Sequence, residues 1–307
     1  MKELIINMST IYPEKVFPHF RSEICLFSPH TRHVKKGWIC GRHVHHMMLE
    51  MLLVLDGSQT AILGSKEYEQ QAGDLIIVSP MQVHDFQVRK ADNASFFTMH
   101  IHLDLEDTAF LHLIGALNHS YYPQGHPLND HLVPSMRQIM NTLYQENSPR
   151  IPLLRELYTI LGHMQDYFAA AKDKQETAFQ SELPTRIAWE IQGRVLRRDE
   201  DESSSTGDWL EDISRRFGMS RRHCHRIFTQ TFGMPPREYL MVLKQQEAMH
   251  MLVTSNVSIE QIAYRIGYEN VQSFSRQFAA WAGCTPSVFR KNNMDQCFHL
   301  TPIDVGS

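Results

Sequence analysis

Between Trp38 and His102 the apolar residues come in short runs, among them Leu52-Leu-Val-Leu55, Thr60-Ala-Ile-Leu63 and Leu75-Ile-Ile-Val78, separated by Gly57, Gly64 and Gly73-Asp74. Short β-branched runs bounded by glycine predict strands of an antiparallel sandwich or barrel. Beyond residue 130 the period changes. Leu132, Met136, Ile139, Met140, Leu143 and Tyr144 form one stripe at helical spacing. Leu153, Leu154, Leu157, Ile160, Leu161, Met164, Tyr167 and Phe168 form a second. Asn147-Ser-Pro-Arg-Ile-Pro152 breaks them into an antiparallel helical pair. The second stripe is wider than one partner helix requires. Residues 169–177 read as a polar linker, and 199–205 as a solvated acidic and serine-rich loop.

The C-terminal third contains a repeat. Leu210, Ile213 and Phe217 lead to Gly218, and then to Arg226, Phe228, Gly233, Pro236 and Tyr239. Ile259, Ile262 and Ile266 lead to Gly267, and then to Arg276, Phe278, Gly283, Pro286 and Phe289. The offset is 49 residues at the glycine and 50 from the arginine onward, so the second copy has one extra residue in the turn. Each copy predicts helix, glycine turn and second helix. Asp208 with Glu211, and Ser258 with Gln261, predict capping boxes. Gly218 and Gly267 stand where a helix ends in a left-handed residue. The trailing helices show polar faces, Arg221, Arg222, His225 and Arg226 in one and Asn270, Gln272, Ser275 and Arg276 in the other. Arg pairs with guanine and Gln or Asn with adenine, so these eight are candidate DNA-binding residues.

From about Pro184 to Lys291 the chain resembles the AraC/XylS family of transcription regulators, whose DNA-binding unit is two helix-turn-helix motifs joined by a long helix. The likeness is most specific from Ser258 to Phe278 and from Gly283 to Arg290. It implies that Arg222, His225 and Arg226, and then Gln272, Ser275 and Arg276, face the bases. Gln245 departs from the apolar residue usual in the connecting helix.

Charge supports this locally. The whole chain carries 30 basic and 34 acidic side chains, a formal −4, which argues against a general nucleic-acid coat. Residues 205–293 hold eleven Lys and Arg against seven Asp and Glu, leaving −8 for the remainder. Five arginines crowd the first motif, where phosphate contacts would supply affinity.

The N-terminal half contains Gly37-x5-His43-x-His45-x4-Glu50-x6-Gly57 and Gly73-Asp74…Pro80-x3-His84, which look like the two motifs of a cupin, a small jelly-roll barrel. Ser79, Met81 and Val88 depart from the second motif, where proline, glycine and asparagine are usual. His43 and His45 share one strand face because the period is two. Glu50 and His84 from neighbouring strands would complete a three-His, one-carboxylate set suited to a divalent transition metal such as Fe, Mn, Ni or Zn. A metal-free polar pocket for a sugar or other small metabolite, with Trp38 stacked on it, is the second reading of Trp38, His43, His45, Glu50 and His84. Purely structural histidines are the third. His100 and His102 share a face of strand 96–103, lining the barrel or facing solvent.

No stretch approaches the ~20 apolar residues of a membrane span, and the N-terminus lacks a signal-peptide core. Five cysteines without a C-x-x-C pair fit a reducing compartment.

These readings give a multidomain protein: a cupin-like effector-sensing domain at 1–115, a helical pair at 116–175, a linker at 176–183, a double helix-turn-helix at 184–293 and a tail at 294–307. The expected function is a cytoplasmic, ligand-responsive, sequence-specific transcription regulator, not an enzyme. Its expected partners are double-stranded DNA, a small-molecule effector, a second copy and RNA polymerase, with no membrane. The alternative is a cupin metalloenzyme of dioxygenase or isomerase type. Dimerisation through the second stripe, or packing of both helices on the barrel, remain open at this level.

Overall fold

The computed structural model describes residues 24–45, 48–103, 108–174, 183–196, 208–293 and 303–304. Of the linker expected at 176–183, residues 176–182 lie outside the described residues and Leu183 already opens a helix, while residues 169–174, expected as polar linker, continue the helix that begins at Arg150. The loop at 199–205 and most of the tail also lie outside the described residues.

Seven strands come first: β1 (Cys25–Lys35), β2 (Ile39–Val44), β3 (Met48–Leu63), β4 (Lys66–Gln71), β5 (Leu75–Val78), β6 (His84–Gln87) and β7 (Asn93–His102). All pairings are antiparallel, in the order β1-β7-β3-β6-β2. The two runs expected on either side of Gly57 are one 16-residue strand, β3. The strand bulges between Val54 and Asp56 and runs on through Gly57, whose φ is +72° and where a side chain would strike the Asn93 carbonyl. The first half of β3 pairs with β5 and β7, the second with β4 and β6, so one strand closes the barrel.

The run around Leu52 is apolar on both faces because both are covered. Leu49, Met51 and Leu53 share a core with Phe97, Met99 and the helices α1 (Thr108–Leu117), α2 (Pro127–Leu143) and α3 (Arg150–Lys174). The alternate residues Glu50, Leu52, Phe96, Thr98 and His100 face a cavity inside the barrel. The short strand β8 (Tyr121–Tyr122) extends β5. The broad stripe on α3 is thereby satisfied. Leu157, Ile160, Met164 and Phe168 are fully or almost fully buried against α2 and the barrel, so Leu157 and Leu161 offer no free surface to a second copy.

The helices α4 (Leu183–Leu196), α5 (Trp209–Arg216), α6 (Arg221–Phe232) and the first half of α7 (Pro236–Thr254) enclose a second core. The last half of α7 packs with α8 (Ile259–Arg265), α9 (Val271–Ala282) and α10 (Pro286–Asn293) around Phe274 and Phe278. One 19-residue helix therefore belongs to both reading units. Gly218 and Gly267, at φ +65° and +87°, make the left-handed turns expected of them. The reciprocal capping box forms at Ser258 and Gln261. At α5, Asp208 caps Leu210 N alone, and its carboxylate also pairs with Arg221 at 2.5 Å. A final strand, β9 (Ile303–Asp304), pairs with β2 at Val44 and His43.

Candidate functional site: a buried His and Glu cluster and two exposed helix faces

His43 and His84 stand opposite each other on β2 and β6, and Glu50 stands opposite His100 on β3 and β7. The two pairs meet across the barrel interior, and His45 follows the end of β2. One potential ligand atom from each of His43, His45, Glu50 and His84 lies within 4.8 Å of the others, and all four residues are buried. His84 Nε2 is 2.7 Å, His45 Nε2 3.1 Å and His100 Nε2 3.7 Å from the same oxygen, Glu50 Oε2. Thr98 donates its hydroxyl to Glu50 Oε1 at 3.2 Å.

Backbone carbonyls orient two of the rings. His43 Nδ1 donates to Gly41 O at 2.6 Å and His84 Nδ1 to Gln82 O at 2.8 Å. A neutral imidazole has only one N–H, so both rings aim a bare Nε2 lone pair inward. At 2.7 Å from a carboxylate oxygen such a lone pair is repelled unless a proton or a metal ion lies between them. His45 Nδ1 is buried without a hydrogen-bond partner, and its Nε2 faces Glu50.

Burial, reinforced by neighbouring His84, pushes His43 down to about 4. Burial pushes His45 down to about 3. Burial by itself would raise Glu50, but the charge of His84 and hydrogen bonds from His100, His45 and His84 hold it well below the usual carboxylate range. Imidazole nitrogens grouped around a carboxylate are the donor set a transition metal ion takes, so these residues fit one.

The cavity above the cluster encloses about 360 Å³. Trp38 lines it, tilted against Phe96 with ring centroids 5.5 Å apart. Thr98, His100 and Arg32 line it too. Of the two places the sequence leaves open for His100, the barrel lining is the one it takes; Thr98 shares its face by strand alternation, and neither Thr98 nor Arg32 is among the site residues expected from sequence. His102 is buried, and its ring lies 4.5 Å from that of His250 on α7.

The segment between Ser79 and His84 ties the cluster to the helices. Met81 N donates to His45 O at 2.9 Å. Met81 is wholly buried, in one core with Ile187, Phe228, Tyr239 and Leu243, and Tyr239 Oη donates to its sulfur at 3.2 Å. Trp189 Nε1 donates to Pro80 O at 3.1 Å, and its indole lies flush on Gly115, where even a methyl group would overlap it. Met81 has φ +66°, the left-handed conformation that explains why glycine is usual at this point of the motif.

On α6, Arg222, His225 and Arg226 are exposed, and on α9 Gln272 and Arg276 are exposed with Ser275 half-buried. Arg226 is steadied by Gln230 and His223, each at 3.2 Å. Arg221 is held by Asp208, and the Asn270 side chain accepts from Ser273 N at 2.8 Å as the N-cap of α9. Both of those side chains have local work that the sequence pattern did not reveal.

The comparisons with known proteins agree with this layout. Residues 213–292 match the family model described as a helix-turn-helix domain, and residues 30–100 the one described as a cupin domain. The HTH-type transcriptional activator AarP of Providencia stuartii is 31% identical over 117 residues, 38% of this chain and 80% of its own. The HTH-type transcriptional regulator YdiP of Escherichia coli (strain K12) is 25% identical over 85% of this chain and 84% of its own. The HTH-type transcriptional activator RhaS of Escherichia fergusonii is 24% identical over 80% and 86%. Similarity that runs through barrel and helices alike accounts for both halves at once, and the chain belongs to the AraC/XylS family of DNA-binding transcription regulators.

Proposed function

We propose that the barrel is a sensor whose occupancy sets how the two helix-turn-helix units meet DNA. The observation that carries this is the 79–84 segment. At one end it supplies His84 and holds the His45 backbone, and at its middle Met81 is built into the core of the first reading unit. A shift at the cluster cannot leave that segment in place without disturbing packing around Tyr239, because a close-packed core does not deform freely.

In this reading His43, His45, Glu50 and His84 hold a divalent transition metal that would supply Lewis acidity or a bridge to an effector. Trp38 lines the effector space. The barrel senses and does not catalyse: its cluster is coupled to a DNA-reading unit, and the relatives that match along the chain are regulators. Arg222, His225, Arg226, Gln272, Ser275 and Arg276 contact bases, while Arg221 and Asn270 act through Asp208 and the α9 cap. A homodimer, contact with RNA polymerase and a cytoplasmic location go with the reading, as the family resemblance implies. Among the described residues no helix is long and apolar enough to cross a membrane.

The test is DNA affinity measured by fluorescence anisotropy with and without Zn, Mn, Fe or Ni, on wild type and Glu50→Gln. An affinity that changes on loading wild type and stays fixed in the variant supports the reading. Metal binding that never alters DNA affinity counts against it.

A further inference from the structure

The cavity has an anchor at its far end from the cluster. Across β1 and β7, Arg32 pairs with Phe96 and His30 with Thr98, while Glu50 pairs with His100 across β3 and β7. All of these face the cavity. The level of Arg32 and Phe96 is therefore four residues along β7 from the level of Glu50 and His100, about 13 Å at roughly 3.3 Å per residue. Between the two levels the walls are Trp38, Leu52 and Phe86, with His30 opposite Thr98 on the β1 and β7 side. Arg32 makes no ion pair among the described residues and is exposed at the rim. A guanidinium there is a ready partner for a carboxylate, with two parallel N–H donors.

A cavity of this size belongs to the range that encloses small organic ligands. Its two polar ends differ in kind. The rim offers a permanent cation, and the floor offers imidazoles, a threonine hydroxyl and an ionised carboxylate. A sugar carries no carboxylate, so it would leave the paired N–H donors of the rim guanidinium unused. A flat ring fits the middle, beside Trp38 and Phe96.

We propose that the effector is a small aromatic acid. Its carboxylate pairs with Arg32, its ring lies along Trp38 and Phe96, and a hydroxyl at its other end reaches the His and Glu cluster. This rests on the barrel being the effector site, and it adds the chemical class and the residue that selects it.

Isothermal titration calorimetry of the full chain tests it, with para-coumarate as probe, its uncharged amide as the charge control and glucose as the neutral polyol. The acid is expected to bind with Kd at or below about 1 mM, and the amide about tenfold more weakly. Arg32→Gln, at an exposed rim position, should remove the preference of acid over amide while leaving the thermal midpoint and metal stoichiometry unchanged. Arg32→Lys should keep part of it. Equal binding of acid and amide, no binding of the acid, tighter binding of glucose, or a preference that survives in Arg32→Gln would each overturn the assignment. Acid binding that leaves DNA affinity unchanged would overturn the sensor reading but not this one. A DNA response to glucose alone would do the reverse.

Discussion

The Tyr239 hydroxyl donates to the Met81 sulfur at 3.2 Å, joining the connecting helix of the double helix-turn-helix to the segment that carries His84. Both side chains are fully buried. A thioether is a weak acceptor, so the contact counts for its position more than for its strength. Tyr239→Phe keeps the ring and its packing on Phe228 and Phe232, and should cost roughly 1 kcal/mol of stability. The expected result is normal DNA affinity in the metal-free protein with a smaller change on metal loading. Anisotropy titrations of the loaded and unloaded variant check this, and an undiminished change would remove Tyr239 from the route.

The cluster should take about one divalent transition metal per chain, and Glu50→Gln should weaken the affinity by roughly ten- to a hundredfold because a neutral amide replaces a charged ligand. Metal analysis after gentle purification, with titration of the stripped protein, measures both. Stoichiometry near zero and no thermal shift with any of the four metals would leave an organic-ligand pocket.

For DNA, α7 spans roughly 28 Å at 1.5 Å per residue, long enough for a strut that sets two reading helices into successive major grooves. Binding-site selection should give a bipartite, asymmetric site. Arg226→Ala should relax one half and Arg276→Ala or Gln272→Ala the other, each by about 1–3 kcal/mol. Asn270→Ala should weaken all sequences alike by roughly 1 kcal/mol, through loss of the cap on α9. If every variant loses affinity with unchanged preference, the base-reading residues lie elsewhere on these helices.

Leu157→Glu and Leu161→Glu are expected to unfold the barrel and helix core, at a cost of several kcal/mol, because each puts a charge among buried apolar neighbours. Circular dichroism melts decide it. Folded, soluble monomers would instead mean that this face of α3 opens readily to solvent.

Burial raises Glu247 on α7 to about 7, with Arg265 opposing. The sign follows from its being a raised acid. Below the unfolded value near 4.5 it is neutral in both states and costs nothing. From there to about 7 the folded state keeps a proton that the unfolded state has released, so stability falls across that window and levels off above it. Glu247→Gln should therefore raise the melting midpoint at pH 8 more than at pH 5, by about 1–3 kcal/mol in stability terms. An equal effect at both pH values would show that the carboxyl titrates normally.

Much of this layout was legible because the informative residues recur at fixed intervals. The doubled apolar triplets before Gly218 and Gly267 could be nothing but packed helices ending in left-handed turns. Strand period put His43 and His45 on one face, and the likeness to the two cupin motifs added Glu50 and His84 to them. Arg32 stayed hidden, and the side taken by His100 stayed open, because cross-strand register, which decides their neighbours, depends on bulges near Ser28 and Leu55 that local pattern does not locate. The width of the α3 stripe was visible, but a stripe cannot say whether barrel or second copy covers it. Asn270 and Arg221 read as free polar groups because a cap and an ion pair are matters of a few ångströms.

Met81 has a left-handed backbone that an unbranched side chain adopts at a cost on the order of 1–2 kcal/mol. The turn belongs to the barrel's own motif, where glycine is usual, so that cost is carried whatever the helices do. What methionine adds is a side chain that fills the first helical core beside Ile187, Phe228, Tyr239 and Leu243. A glycine here would relieve the backbone and leave a hole in that core, so the residue exchanges local ease for an interior that barrel and helices share.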